Sequence, residues 1–204
     1  MTPERHALWQ ARVAQIESSS CAEVVVAEQA RADAYSEANW KWAVLASFLT
    51  LLFMVHSPIL FHPEGLVLNT AFVGALGYLT SWRVPWLQRW LTGSRRRRER
   101  AEGSADLAFT RLAVSHTRER MGLLLLVCRF EQVALLRPDL GLTGRVPGAR
   151  WNELQSLLDA ARGLDQLEKA VSAVLEKLAP LLAEQAPRGQ QDVNELSDQV
   201  RILC

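Results

Sequence analysis

Cysteine is scarce and poorly spaced for chemistry. The three thiols, Cys21, Cys128 and Cys204, form no CxxC or Cys/His pattern, so they suggest neither a zinc site nor a disulfide framework, and a reducing compartment suits them best. The chain also lacks a DxD pair, a P-loop, an HExxH helix and a Cys-x5-Arg loop. Gly141-Leu142-Thr143-Gly144 has no following lysine or glycine-rich run to cradle a phosphate, and its glycines read as turn residues. Residues 1–20 carry Glu4, Arg5, His6, Arg12 and Glu17 without a continuous apolar core, so no secretory signal peptide is expected there. Formal charge is absent from two whole stretches, residues 42–61 and 65–82.

Twenty helical residues rise about 30 Å, the thickness of a hydrocarbon core, so 42–61 reads as a membrane span. Residues 65–82, with Val67, Leu68, Phe72, Val73, Leu76 and Leu79, are just long enough for a second. The remainder of a 204-residue chain cannot supply a soluble core able to bury both. Trp40 and Trp42 flank the first run and Trp82, Trp86 and Trp90 the second. All five fall on the same side, where indole rings favour the headgroup region, and they read as membrane anchors. The connector with His56, His62 and Glu64 has no Lys or Arg, and its histidines read as loop residues rather than a metal pair. Lys41 precedes the hairpin and Arg83, Arg89, Arg95, Arg96, Arg97, Arg98 and Arg100 follow it, a bias that puts both termini in the cytoplasm. The run Arg95 to Arg98 with Arg100 reads as a topology determinant and lipid contact rather than a nucleic-acid site, since each arginine beside anionic lipid contributes about 1 kcal/mol. Gly74 and Gly77 would allow close approach of the two helices. The expected boundaries are a first transmembrane helix over 40–61, an external loop over 62–64, a second transmembrane helix over 65–86 and a basic juxtamembrane segment over 87–103.

The flanks read as soluble α/β material. Leu8, Trp9, Val13 and Ile16 recur at helical spacing, and the helix should end near Ser18-Ser19-Ser20. Glu23-Val24-Val25-Val26-Ala27 then reads as a buried strand. After the hairpin a helix is expected over 106–117, capped by Gly103-Ser104, with Phe109, Leu112, Ala113 and His116 on one face. Strands are expected over 122–128 and 131–136, followed by a loop carrying Pro138, Gly141, Gly144, Pro147 and Gly148. Trp151, Leu154, Leu157, Leu158 and Ala161 pattern a helix closed by Gly163. Leu164, Leu167, Val171, Val174, Leu178 and Leu181 form the apolar stripe of another. The tail, 187–204, reads as irregular. Residues 1–39 and 104–186 are therefore expected to complete one α/β sandwich, a small sheet covered by helices, into which the transmembrane hairpin is inserted.

Residues 117–128 (TRERMGLLLLVC), Asp139-Leu140-Gly141-Leu142, Arg145-Val146-Pro147 and Trp151 together resemble the bacterial TPM-domain family. Cys21-Ala22-Glu23-Val24-Val25-Val26 is similar to its first strand, and Asn194-Glu195-Leu196-Ser197-Asp198 to its NELPD ending. The likeness covers nearly the whole chain and implies the α/β sandwich fold. Some members are labelled phosphatases and bind a divalent cation, such as calcium or magnesium, through acidic residues. Glu131 and Asp139 lie nearest that pattern, with Glu23 a third candidate ligand. The chain departs from it at Gln132, Val133 and Arg137-Pro138. Without a coherent catalytic set, the expected function is a noncatalytic, membrane-tethered module in the bacterial inner membrane. It would bind a protein partner in assembly, repair or regulation of a membrane complex, with membrane lipid as its other contact and no cofactor required. The alternatives are a divalent-metal-dependent phosphatase and an anionic-lipid sensor.

Overall fold

The computed structural model describes residues 3–117, 119–189 and 199–203. The chain divides into two units, one made of residues up to Ala32 and from Arg98 onward, the other of Asp33–Arg97.

Three consecutive valines and four consecutive leucines cannot alternate between core and water, so each strand that carries them has to be covered on both faces. In the first unit they are. Strand β1 (Glu23–Gln29) pairs in parallel with β2 (Gly122–Cys128), which pairs antiparallel with β3 (Val133–Pro138). Val24, Val26, Leu123, Leu125 and Val127 pack beneath helices α1 (Pro3–Ser19), α7 (Gly148–Asp159) and α8 (Leu164–Gln185). Val25, Ala27, Leu124, Leu126 and Cys128 face Ala101, Ala105 and Ala108 of α5 (Ser94–Arg111). The result is a mixed α/β fold with its sheet between helical layers, as the strand patterns imply. Helices α1, α7 and α8 lie where their apolar periods place them.

Three expectations need correction here. The helix after the hairpin begins at Ser94, not near residue 106, and its buried face is Ala101, Ala105 and Ala108, while Phe109 and Leu112 are only partly buried. Arginine, glutamate and alanine favour helix strongly enough to carry it through Gly103. It ends at Arg111, and Ala113, with a φ of 55°, leads into a single 3-10 turn, Val114–His116. The tail is not wholly irregular: Arg201–Leu203 forms β4, parallel to β1, giving the order β3-β2-β1-β4. The family-like ending at 194–198 lies outside the described residues. The loop after β3 contains a short helix, α6 (Leu140–Arg145).

The second unit holds α2 (Ser36–His56), α3 (Pro63–Arg83) and α4 (Pro85–Thr92). Early residues of α2 meet late residues of α3: Trp40 stands edge-on to Tyr78 at 5.1 Å, and Ser47 donates to the Thr70 carbonyl at 3.1 Å. The two helices therefore run antiparallel. Their ends differ from the expected spans, with the connector at 57–62 and a break at Val84-Pro85. Pro85 removes a backbone donor and holds Val84 extended, at φ −111° and ψ 94°. The segment expected as basic juxtamembrane is thus mostly helical, in α4 and the start of α5. Among the described residues α2 is the one helix both long and apolar enough to cross a membrane. Helix α3 has the same length but carries Asn69, Thr70, Thr80, Ser81 and three glycines.

Candidate functional site

The three carboxylates singled out as metal ligands do not converge. Glu23 opens β1 opposite Gly122, and the Asp139 N–H donates to the Gly122 carbonyl at 2.8 Å from the other side. The two backbones flank Gly122 across two strand spacings, about 10 Å. Glu131 sits beyond Cys128, at the far end of β2, roughly 20 Å along the strand. No cluster of three or more His, Cys, Asp or Glu suited to a metal occurs among the described residues.

Asp139 and Glu131 each have local structural work. Asp139 caps α6 by accepting from Leu140 N–H at 2.8 Å, and it receives Arg120 Nε at 2.9 Å and Nη2 at 3.2 Å. This fork raises the Arg120 pKa above its ordinary value. Glu131 accepts from the Ala32 N–H at 2.9 Å and ties the end of β1 to the β2–β3 turn. That turn needs Gln132 at φ 57°, which the pattern of residues did not announce.

The carboxyl ends of parallel strands are where open α/β sheets commonly place ligands, and here they carry a cluster that the sequence did not single out. Glu28, buried at the end of β1, meets His6 Nε2 of α1 at 2.7 Å and Arg129 Nε at 3.3 Å. Gln29, on the opposite face, accepts from Ser104 Oγ of α5 at 2.5 Å. Arg31 lies over the Phe130 ring at 4.4 Å. Glu28 thereby ties α1 to the β2–β3 turn. A charged residue closing an otherwise apolar strand was the available signal. Its partners, 22 and 101 residues away, left none.

The arginine run is partly internal. Arg98 donates to Glu102 at 3.1 Å and pairs with Asp159 of α7 at 2.8 Å, and the hydrogen bond to Asp159 is the main cause of its raised pKa. Arg96 pairs with Glu37, and Arg97 Nε donates to the Gly93 carbonyl at 3.2 Å. Arg95 and Arg100 also lie on α5.

In the second unit apolar side chains point outward. Val44, Phe48, Leu49, Phe53 and Val55 of α2, and Val67, Leu68, Phe72 and Leu79 of α3, are each more than half exposed. Trp40, Trp82, Trp86 and Trp90 are exposed as well, and Trp42 is half-buried. Helix α4 buries Leu87 and Gln88 while presenting Trp86 and Trp90. The Gln88 amide donates to Asn39 of α2 at 2.7 Å. Arg83 lies over the Trp82 ring at 5.2 Å.

No family of known sequences matches this chain, and no curated protein matches it. Among solved structures, the NMR structure of the BA42 protein from the psychrophilic bacterium Bizionia argentinensis aligns with a TM-score of 0.57. The alignment covers 99% of this chain and 94% of that one, at 13% identity. A likeness at that identity shows a shared mixed α/β fold and nothing about activity.

Proposed function

We propose that this chain is a membrane-tethered α/β module of the TPM-like kind, noncatalytic, whose sandwich binds a protein partner at the bacterial cytoplasmic membrane. The single observation that carries the reading is the outward-facing apolar surface of α2 and α3. In the most apolar stretch of α2 only 22% of the residues are buried, whereas the core helix of a soluble protein would be mostly covered. Exposed apolar patches on soluble proteins rarely exceed a few hundred Å². Lipid is the solvent that such a surface fits. The less apolar α3 crosses beside α2, its two threonine hydroxyls satisfied within the helix: Thr70 donates to the Leu66 carbonyl and Thr80 to the Leu76 carbonyl, each at 2.7 Å. With Lys41, Arg83 and Arg89 on one side and no Lys or Arg at 57–62, both termini lie in the cytoplasm.

The structural duties of Asp139 and Glu131 support a noncatalytic reading over a metal-dependent phosphatase, because a shared metal would need carboxylates gathered in one place. Two measurements test the proposal. Membranes containing the chain are washed with alkaline carbonate, and the chain should stay in the pellet; release into the supernatant sinks the tether. The protein is then purified in mild detergent and assayed for phosphatase activity with and without magnesium or calcium. A stoichiometric protein partner without turnover is the expected result, and metal-dependent turnover lost in Glu131→Ala or Asp139→Ala would favour the enzyme.

A further inference from the structure

A groove of about 770 Å³ runs along the outer seam of α2 and α3. Its floor is made of small residues, chiefly Ala71, Gly74 and Ala75, and one wall is the ridge Trp40, Val44 and Phe48. The Ser47 and Thr70 hydroxyls in the lining are already bonded to backbone carbonyls, which leaves the Trp40 and Tyr78 rings at one end as its other polar-tipped side chains. We infer that this groove holds one acyl chain of an anionic phospholipid from the cytoplasmic leaflet, an inference that rests on the membrane reading above.

Three observations select that occupant. The groove extends on α2 from Trp40 to Leu51, eleven residue steps or about 16 Å. That is half of a hydrocarbon core of about 30 Å and so the depth of one leaflet. A partner helix would be expected to follow the seam across the whole span, but an acyl chain ends at the midplane. Trp40 and Tyr78, packed edge to face, form the lip at the headgroup end, where amphipathic rings belong. The charges at that end are complementary to an anionic headgroup, with Lys41 next to the lip and Arg83 five residues beyond Tyr78.

The test uses the full chain in nanodiscs of equal parts phosphatidylglycerol and phosphatidylcholine, followed by detergent extraction and native mass spectrometry of retained lipid. The wild type should keep a phosphatidylglycerol. Ala75→Phe, which fills the floor, should retain about tenfold less, equivalent to about 1.4 kcal/mol. Lys41→Ala should keep lipid but lose about fivefold of the headgroup preference, the worth of one basic side chain. Leu68→Phe, outside the groove, should behave as wild type. Equal retention by Ala75→Phe overturns the inference, as does an Ala75→Cys variant that crosslinks to a protein chain, including a second copy. A wild type resistant to carbonate but carrying no phosphatidylglycerol overturns this inference alone, whereas carbonate release overturns the membrane reading and this with it.

Discussion

Gly77 of α3 lies so close to Ala46 of α2 that a Cβ on it would stand 3.2 Å from the Ala46 Cβ and 3.3 Å from the Ala43 Cα. One turn earlier, a Cβ on Gly74 would collide with Ser47 Oγ. In the membrane setting proposed above, such close approach would supply the packing that the hydrophobic effect cannot.

Gly77→Leu should therefore wedge α2 and α3 apart. Overpacking of this kind costs roughly 1–3 kcal/mol, read as earlier unfolding of the detergent-purified protein in an SDS titration. Gly65→Leu, at a site where a Cβ would meet only the Asn69 side chain, at 4.0 Å, should leave the midpoint unchanged.

Asp139→Ala removes the cap of α6 along with the Arg120 pairing. Loss of the cap alone costs about 1 kcal/mol. Asp139→Asn keeps an acceptor for the Leu140 N–H and should lose less in urea unfolding. If calcium or magnesium stabilised the wild type and not these variants, Asp139 would instead be a metal ligand.

Burial beneath α5 pushes the Cys128 thiol pKa upward, with a smaller contribution from Glu131. Below the ordinary thiol pKa of about 8.5 both states hold the proton. Above it the unfolded chain releases the proton while the folded protein keeps it, so folding stability falls as pH rises, by up to roughly 1.4 kcal/mol per unit. Urea midpoints measured between about pH 7 and pH 10 should decline in the wild type. Cys128→Ala should show a flatter decline, and identical slopes would show that Cys128 does not set the alkaline limit.

Gln155 of α7 acts as a substitute strand at the free edge of β3. Its Oε1 accepts from Leu136 N–H and its Nε2 donates to the Ala134 carbonyl, both at 3.0 Å. Gln155→Ala should cost roughly 1–2 kcal/mol and expose an edge able to pair with other chains. Gln155→Glu keeps only the acceptor and should fall between. Light scattering and hydrogen exchange at Leu136 would report both effects.

Much of the fold was legible because it is written in local patterns. The valines of β1 and leucines of β2 have no polar alternation, and so demand cover on two faces. Trp9, Val13 and Ile16, like Leu167, Val171 and Leu178, mark the buried stripes of α1 and α8. Residues 42–61 exclude charge over a length that water does not favour. The candidate site was less legible: Glu131 and Asp139 were recognisable as carboxylates, but their placement at opposite ends of β2 depends on strand register.

What the sequence determined by itself was which segments had to be buried, which had to be helical, and that Lys and Arg were confined to one end of the hairpin. Only tertiary structure decided that Arg201–Leu203 joins β1, that His6 and Arg129 converge on Glu28, and that Arg98 meets Asp159. Periodicity records the environment of each residue, one face at a time. Pairing between distant residues is settled by the packing of whole elements, and a three-residue strand or a lone ion pair is too short to leave a period in the chain.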